Sequence, residues 1–303
     1  MKKNVLLLGA TGMLGSLVLD VISKEPSISL YATIRDKKLL KQFSNKYPKT
    51  KFIVFDALKN PFTGEFSQIK KIDWIINAIG LIKPFIHDDN PSEVEKAIAL
   101  NAEFPFVIHE LIKHKSTKVL QIATDCVFSG EKGDYVETDL HDPLDVYGKT
   151  KSLGEVPSSQ FIHLRCSIIG PERNTQNSLL EWFVNQEVKS KLNGFTNHFW
   201  NGITTLHFAK ICKSIILNDL QLENMQHIVP EDIVTKQKLL KYFSKHFQRA
   251  DIEINPVKSR NKINRTLNTI HATMNMDIWK SAGYKNPPTI DEMVKELAEY
   301  MKA

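Results

Sequence analysis

Residues 5–15 of the chain have the sequence VLLLGATGMLG, in which four apolar residues run directly into a glycine-rich turn. The apolar run predicts a buried strand, and the apolar spacing over 14–24 predicts a helix immediately after the turn. Glycines at this spacing between a strand and a helix are typical of dinucleotide-binding folds. We expect Gly9 to allow the tight turn, Gly12 to admit a pyrophosphate and Gly15 to let the helix pack closely against the strand.

The same turn brings the positive end of the predicted helix to the phosphates of a dinucleotide. Contacts to the cofactor are therefore predicted for the residues of the turn and of the first helical turn. These residues are Gly9, Thr11, Gly12, Met13, Leu14 and Gly15. The alternative is that the three glycines serve only as turn and packing residues.

Five more short apolar runs follow, separated by segments long enough to hold a helix. The runs cover 30–34, 52–55, 74–77, 119–123 and 161–164, and segments 92–115 and 147–155 have helical spacing. Fully apolar strands that alternate with helices indicate a parallel sheet covered on both faces. The sequence therefore predicts an α/β fold with a Rossmann-type doubly wound parallel sheet.

The regular alternation weakens after about Arg165. Helices are predicted over 178–188, 206–217, 236–247 and 290–301, with short strands at 228–229 and 252–254. We predict an NAD(P)-binding domain over 1–165 and a smaller C-terminal α/β substrate-binding lobe over 166–303, with elements that can interleave.

The composition limits the classes of partner and ligand that we expect for the chain. A chain of 303 residues that is 42% hydrophobic can bury a large core, and its net charge of +6 is spread along the sequence without a basic arm. Nucleic-acid binding is therefore not expected. Three distant cysteines predict neither a disulfide framework nor a zinc site, and no metal role is expected for His198 or His207. The first apolar run is too short for a signal peptide or membrane span, so we expect a cytoplasmic protein with no membrane partner.

Charged and small residues follow the second, third and fourth predicted strands. Arg35, followed by Asp36 and two lysines, could pair with a 2′-phosphate, which favours NADPH over NAD; a solvated charged turn is the alternative. Asp56 and Ala57 follow the third strand, and Asp56 could accept a hydrogen bond from an adenine amino group.

The fourth strand ends in Asn77, Ala78, Ile79 and Gly80. The small residues Ala78 and Gly80 leave room for the cofactor backbone. Asn77 is a candidate cofactor contact or, alternatively, a strand-ending turn residue.

Thr124, Tyr147 and Lys151 are the candidate catalytic residues. Thr124 closes the fifth apolar run, while Tyr147 and Lys151 are four residues apart on a predicted helix and therefore share a face. A nearby cation stabilises a phenolate, so Lys151 is expected to lower the pKa of Tyr147 and to hold the cofactor ribose. Tyr147 is then the general acid toward a carbonyl oxygen, which Thr124 orients. A packed tyrosine beside a solvated lysine is the alternative.

The stretch 123–155, ATDCVFSGEKGDYVETDLHDPLDVYGKTKSLGE, resembles the extended short-chain dehydrogenase/reductases, and among them the dTDP-4-dehydrorhamnose reductase-like family. The resemblance covers the first ~170 residues and the second lobe only in general layout. It implies NADPH-dependent reduction of the 4-keto group of a nucleotide-activated deoxysugar in polysaccharide precursor synthesis, with Thr124, Tyr147 and Lys151 as the catalytic residues. It also allows a homodimer.

Two residues depart from the family pattern. Cys126 stands where the rhamnose enzymes have tyrosine, and Ile168 follows Ser167 where they have tryptophan. The substrate could thus be another 4-keto sugar, such as a UDP-linked acetamido-deoxyhexose. Because Asp125 is followed by a thiol where the related dehydratases have a second carboxylate, dehydration is not expected.

Five residues are predicted to contact the substrate: Asp125, Cys126, Arg165, Trp200 and Arg265. The two arginines match phosphate oxygens bidentately, although they could equally tie the lobes together, and Trp200 could fill the core of the second lobe. An epimerase that regenerates its cofactor and a non-catalytic NAD(P)-binding regulatory subunit remain alternative functions.

Overall fold

The computed structural model describes residues 2–59, 66, 69, 71–172 and 178–302. In these residues the strands are β1 (Lys3–Leu8), β2 (Ile28–Ile34), β3 (Lys51–Val54), β4 (Trp74–Asn77), β5 (Lys118–Ala123), β6 (Phe161–Arg165), β7 (Ile168–Ile169), β8 (Lys191–Phe195), β9 (His198–Trp200), β10 (Ile203–Thr204), β11 (Met225–His227), β12 (Val234–Thr235), β13 (Glu253–Val257) and β14 (Ile263–Asn264). The helices are α1 (Met13–Ile22), α2 (Leu40–Lys46), α3 (Pro91–Ala97), α4 (Phe104–Ile112), α5 (Val146–Leu153), α6 (Leu179–Val184), α7 (Thr205–Asn218), α8 (Lys236–His246), α9 (Ala272–Ser281) and α10 (Ile290–Lys302).

The described residues form a seven-stranded sheet in the order β11-β6-β5-β4-β1-β2-β3, and every pair in it is parallel. The order reverses between β1 and β4, the switch point at which doubly wound sheets bind ligands beyond the carboxyl ends of their strands. The predicted fold class is confirmed, and each of the six predicted strands overlaps an observed one.

Both faces of the sheet are covered, which explains why its strands are apolar throughout. Along β1, Val5 and Leu7 belong to one core cluster, whereas Leu6 and Leu8 belong to the other. Alternate side chains of a strand point to opposite faces, so a strand buried on both sides must be apolar at every position. Each fully buried leucine contributes about 1.5–3 kcal/mol relative to an exposed one.

The predicted helix over 92–115 is not continuous. A π-helical segment, Ile98–Glu103, separates α3 from α4. Pro105 lies at the start of α4 and has no N–H to donate to the carbonyl of Asn101, so the regular ladder is interrupted there. The backbone of Gly154 approaches this carbonyl so closely that a Cβ at Gly154 would lie 1.9 Å from its oxygen.

Elements after residue 166 contribute to the central sheet. The strand β11 extends the sheet beside β6, and α7 joins the core that α1 covers. The strand predicted at 228–229 lies a few residues earlier, as β11, and the helices α7, α8 and α10 overlap their predicted positions. Three small sheets, β10-β7, β12-β9-β14 and β13-β8, complete the described part of this region. The division at residue 165 stays a prediction.

Throughout the described segments, each helix is too short or too polar to cross a lipid bilayer.

Candidate active site

The glycine-rich turn after β1 has the geometry that its sequence predicts. Gly9 has a φ of +83°, a left-handed conformation that side chains rarely adopt, and its N–H donates to Thr33 Oγ1 at 2.9 Å. A Cβ at Gly15 would lie 2.0 Å from the carbonyl oxygen of Gly9. Glycine is therefore required at positions 9 and 15 by the backbone itself.

The start of α1 fits a dinucleotide pyrophosphate. Gly12 is exposed and occupies the N-cap, where it leaves the backbone N–H groups of the first turn uncovered by a capping side chain. Thr11 and Met13 are half-buried beside it, whereas the side chain of Leu14 packs in the core and only its backbone can face a ligand. Free N–H groups at a helix N-terminus attract anions.

Arg35 and Asp56 follow neighbouring strands at the same edge of the sheet. Arg35 is exposed directly after β2, where a guanidinium can reach a ligand. Asp56 accepts a hydrogen bond from Leu58 N at 3.1 Å, and Ala57 is half-buried beside it. Asp36 accepts from Lys38 N at 2.8 Å and so stabilises its own turn.

Asn77 serves the protein and not a ligand. Its amide donates to Gln121 Oε1 at 2.8 Å, its own oxygen accepts from Ile79 N at 3.1 Å, and its side chain is fully buried. The expected cofactor contact is therefore corrected to the alternative, a turn residue that also joins β4 to β5. The neighbouring backbone still lines the edge, because Ala78 lies against Gly9 and Gly80 is exposed.

The start of α5 presses against the loop that follows β5. Asp145 caps the helix by accepting from Gly148 N at 2.8 Å, and a Cβ at Gly148 would lie 2.3 Å from the carbonyl oxygen of Cys126. This close approach brings the Tyr147 phenol near Thr124, Asp125 and Cys126, all of which influence its pKa. Two of the predicted catalytic residues are thus neighbours at the site.

Lys151 lies one turn further along α5 and is buried. Its ammonium donates to the carbonyl oxygen of Ile122 at 2.9 Å. Burial lowers the pKa of Lys151 to about 8, a direction that Arg165 reinforces and Glu155 opposes. The lysine is held against the end of β5, one helical turn from Tyr147.

The pKa of Tyr147 differs from the expectation. Burial raises the pKa of Tyr147 above its ordinary value, the Cys126 thiol and the Asp125 carboxylate raise it further, and the neighbouring Thr124 hydroxyl lowers it. The predicted lowering of the Tyr147 pKa is therefore wrong for this arrangement, because desolvation outweighs the lowering influence of Thr124. The phenol carries its proton at neutral pH, as an acid that donates to a carbonyl oxygen must.

Arg165 is not available to a diphosphate. Its side chain is 1% exposed, and its guanidinium donates to Thr124 O at 3.0 Å and to the Glu155 carboxylate at 2.9 Å. It also contacts His141 Nε2 at 3.1 Å. The predicted substrate contact is corrected: Arg165 lies beneath the site and fixes the backbone at Thr124, since a buried guanidinium needs these partners.

Trp200 likewise belongs to the core of the second lobe. It is 4% exposed, and its indole N–H donates to Ser167 Oγ at 2.8 Å. The expected substrate contact gives way to the alternative, a packed tryptophan that ties β9 to the residues after β6. Asp125 and Cys126 remain at the site: Asp125 is buried next to Thr124, and burial raises the pKa of the half-buried Cys126 thiol to about 12.

Arg265 comes to the site from the distant end of the chain. Its Nε donates to the carbonyl oxygen of Phe128 at 2.7 Å, and its charge lowers the pKa of the Cys126 thiol. This places the guanidinium on the loop that follows Thr124, and the structure leaves its predicted substrate contact open.

Two further residues at the site were not predicted from the sequence. Asn101 donates to Leu81 O at 2.9 Å and to Thr150 Oγ1 at 3.3 Å, so it links the loop after β4 to α5. Lys236 is the first residue of α8, and its ammonium lies 5.6 Å from the ring centroid of Trp200. Each residue had one signal in the sequence. Asn101 is an amide within an apolar helical segment, and Lys236 is a lysine in the first turn of a helix, where acidic residues are favoured.

Comparison with known proteins places this geometry in a family. Residues 2–303 match the model of the RmlD substrate binding domain. A dTDP-4-dehydrorhamnose reductase of Salmonella typhimurium is 35% identical over 119 residues, which cover 36% of this chain and 38% of that protein. The matched segments span only 24% to 40% of the curated relatives' own lengths.

Two solved structures show the same fold over nearly the whole chain. A dTDP-4-dehydrorhamnose reductase of Clostridium acetobutylicum superposes with a TM-score of 0.71 at 17% identity, covering 99% of this chain and 100% of that one. A UDP-glucuronic acid 4-epimerase of Bacillus cereus in complex with NAD gives 0.73 at 15% identity, covering 99% and 96%. Since the family model matches almost every residue, the chain belongs to the RmlD substrate binding domain family, as the motifs around Thr124 and Tyr147 predicted.

Proposed function

We propose that the chain is an NAD(P)H-dependent reductase of the 4-keto group of a nucleotide-activated deoxysugar. Its curated relatives are named dTDP-4-dehydrorhamnose reductase, which supports this proposal. The observation that carries the proposal is the Tyr147 phenol, which keeps its proton, lies near Thr124 and shares a helix with the buried Lys151. This is the arrangement that a proton donor to a carbonyl oxygen requires.

The residues of the carboxyl edge fit a nicotinamide cofactor. The turn from Gly9 to Gly15 and the open start of α1 suit its pyrophosphate, and Arg35 suits the 2′-phosphate of NADPH, with NAD as the alternative. A fold neighbour from Bacillus anthracis was solved in complex with NADP, and the Bacillus cereus epimerase with NAD. When bound, the nicotinamide ring supplies a hydride to the carbonyl carbon.

The side chains then complete the reduction by handling the proton. Thr124 donates a hydrogen bond that orients the substrate carbonyl, and Tyr147 transfers its phenolic proton to the carbonyl oxygen as the alcohol forms. The Lys151 ammonium, which donates to the carbonyl oxygen of Ile122, supplies a positive charge in the last turn of α5. This charge stabilises the resulting phenolate. Buried surroundings strengthen each of these interactions.

The test is NADPH oxidation by the purified protein with a panel of dTDP- and UDP-linked 4-keto sugars. For Tyr147→Phe we expect turnover to fall roughly 10²–10⁴-fold, because the variant lacks the proton donor, while NADPH binding measured by fluorescence stays within about threefold. Unchanged turnover in this variant contradicts the assignment of Tyr147.

Two other outcomes lead to different functions. Tightly bound NAD in the purified protein, with interconversion of sugars and no net oxidation, identifies an epimerase. NADPH binding without oxidation by any sugar of the panel identifies a non-catalytic binding subunit. A homodimer stays a prediction that sedimentation analysis can check.

A further inference from the structure

Lys236 reaches the candidate site through the pairing of short strands. Thr235, the residue before it, pairs with Phe199, and Val234 pairs with Trp200. The Trp200 indole is in turn bonded to Ser167, two residues beyond the end of β6. The antiparallel pair thus carries Lys236 to the carboxyl edge of the central sheet, where Thr124 and Tyr147 lie.

The surroundings of Lys236 disfavour a positive charge. Burial is the largest influence on its pKa and lowers it, and the Arg265 guanidinium acts in the same direction. Lys236 is also the first residue of α8, where the positive end of the helix dipole repels a cation. Asp125 and Cys126 act in the opposite direction, but only through space.

No hydrogen-bond or ion-pair partner meets the Lys236 ammonium within the described parts of the chain, and its face contact is the Trp200 ring. Lys151, the buried lysine of the site, has a carbonyl oxygen at 2.9 Å from its ammonium. Lys236 is half-buried, and a partly desolvated charge without a partner in the protein is stabilised by an anion that comes from outside the chain.

Arg265 supplies a second cation on the same side. Only its Nε is bonded within the described residues, to Phe128 O, which leaves the two terminal nitrogens for another partner. The side chain crosses the loop at Gly130, where a Cβ would lie 2.9 Å from Arg265 Cγ and the backbone φ is +92°. Two cations thus lie on this side of the site, with the Asp125 carboxylate near Lys236 and the Asp145 carboxylate near Arg265.

We propose that Lys236 and Arg265 together bind an anionic group of the nucleotide-sugar substrate, and that Lys236 is a specificity-determining residue. The naming of the ligand rests on the proposed function, whereas the anion site itself does not. Phosphate and carboxylate oxygens share the required chemistry. The group is therefore the diphosphate that links nucleotide and sugar, or a carboxylate carried by the sugar.

The first experiment is calorimetric titration of the NADP-saturated protein with UDP and with dTDP. Lys236→Met keeps the length of the side chain and removes the charge, so we expect binding to weaken roughly 10- to 100-fold, the effect of one charge-assisted hydrogen bond. Lys238→Met, on the exposed side of the same helix, is the matched control and should change binding less than twofold. Lys236→Arg should restore most of the affinity.

The second experiment separates the two sources of the anion. Equal loss of UDP, UDP-glucose and UDP-glucuronic acid binding in Lys236→Met assigns the diphosphate. Loss of only the preference for UDP-glucuronic acid over UDP-glucose assigns a sugar carboxylate. Unchanged binding of every probe in Lys236→Met, or no binding of any probe to the unmodified protein, overturns the proposal.

A thermal melt distinguishes ligand binding from a structural role. Because the unpaired charge is unfavourable in the free protein, Lys236→Met should melt at the same temperature as the unmodified protein or about 2 °C higher. A structural lysine would instead lower the melting temperature when replaced. Since no turnover is needed, Lys236-dependent UDP binding without reduction of any sugar would refute the proposed reductase and leave the anion site standing.

Discussion

On one side of the candidate site a buried network of charges fixes the backbone, whereas on the other side amide side chains do so. The sheet side comprises Thr124, Tyr147 and Lys151, and the carbonyl of Thr124 is held by the Arg165 guanidinium at 3.0 Å. The lobe side comprises Trp200, Lys236 and Arg265. Its backbone is held by neutral hydrogen bonds, such as the pair that Asn201 makes with Leu267.

Because their charged side chains have different partners, the two sides of the site are suited to different tasks. Charges on the sheet side are paired within the protein, so their positions are set before any ligand binds. Cations on the lobe side have few partners of their own, which leaves them free to recognise a ligand. We infer that the sheet side supplies the chemistry and the lobe side supplies the choice of substrate, in line with the proposed function.

Breaking the charge network should have the largest effect. Arg165→Met leaves the buried Glu155 carboxylate without its guanidinium, and burial already raises the pKa of that carboxyl. Removal of one partner of a buried ion pair costs about 3–5 kcal/mol. We expect a loss of that size in the free energy of unfolding, measured by urea denaturation.

Arg260→Met is the matched control for this substitution, because Arg260 is exposed. It should change the free energy of unfolding by less than about 0.5 kcal/mol. Equal stabilities of the two variants would show that the guanidinium does not hold the sheet side together.

The pH dependence of stability sharpens the comparison at Lys151. Its pKa is about 8 in the folded protein and takes its ordinary value of 10.5 in the unfolded chain. Between these pH values only the unfolded state keeps the proton, so the free energy of unfolding rises with pH over this window. At about 1.36 kcal/mol per pKa unit, the gain over the whole window approaches about 3 kcal/mol.

This gain is measured by subtracting the unfolding free energy of Lys151→Met from that of the unmodified protein between pH 7 and 10.5. The subtraction removes the titration of all other groups. Lys149→Met, exposed on the same helix, should give a difference that does not vary with pH. A flat difference for Lys151→Met as well would mean that its ammonium is not desolvated.

The sequence predicted the sheet side well because its signals are local. A strand buried on both faces must be apolar, as β4 is, and the glycine spacing follows from contacts within one turn. The pKa direction of Tyr147 and the partners of Arg165 were wrong, since both depend on burial. Burial is a property of the assembled site and has no signature in residue spacing.

The lobe side was predicted less completely because its elements depend on distant partners. The strands β10, β12 and β14 have two residues each and exist only through pairing with strands elsewhere in the chain. A two-residue strand is too short for any hydrophobic period to be visible. Lys236 was also not selected from the sequence, because a lysine on an amphipathic helix is ordinarily solvated. Its place at the site depends on the pairing of these short strands.

The smallest effect in this comparison is expected where the lobe side is held by a single amide. Asn201 donates to Leu267 O at 2.7 Å and accepts from Leu267 N at 2.9 Å, and both residues are buried. Asn201→Ala leaves two buried backbone groups unpaired, which costs about 2 kcal/mol in the free energy of unfolding. Because Leu267 is two residues from Arg265, UDP binding should weaken as well, whereas NADPH binding on the sheet side should not.

Asn193→Ala, at an exposed position of β8, is the control and should leave the binding of both ligands and the stability unchanged. If Asn201→Ala weakened NADPH and UDP binding equally, the two sides of the site would act as one unit and the division between chemistry and substrate choice would be wrong.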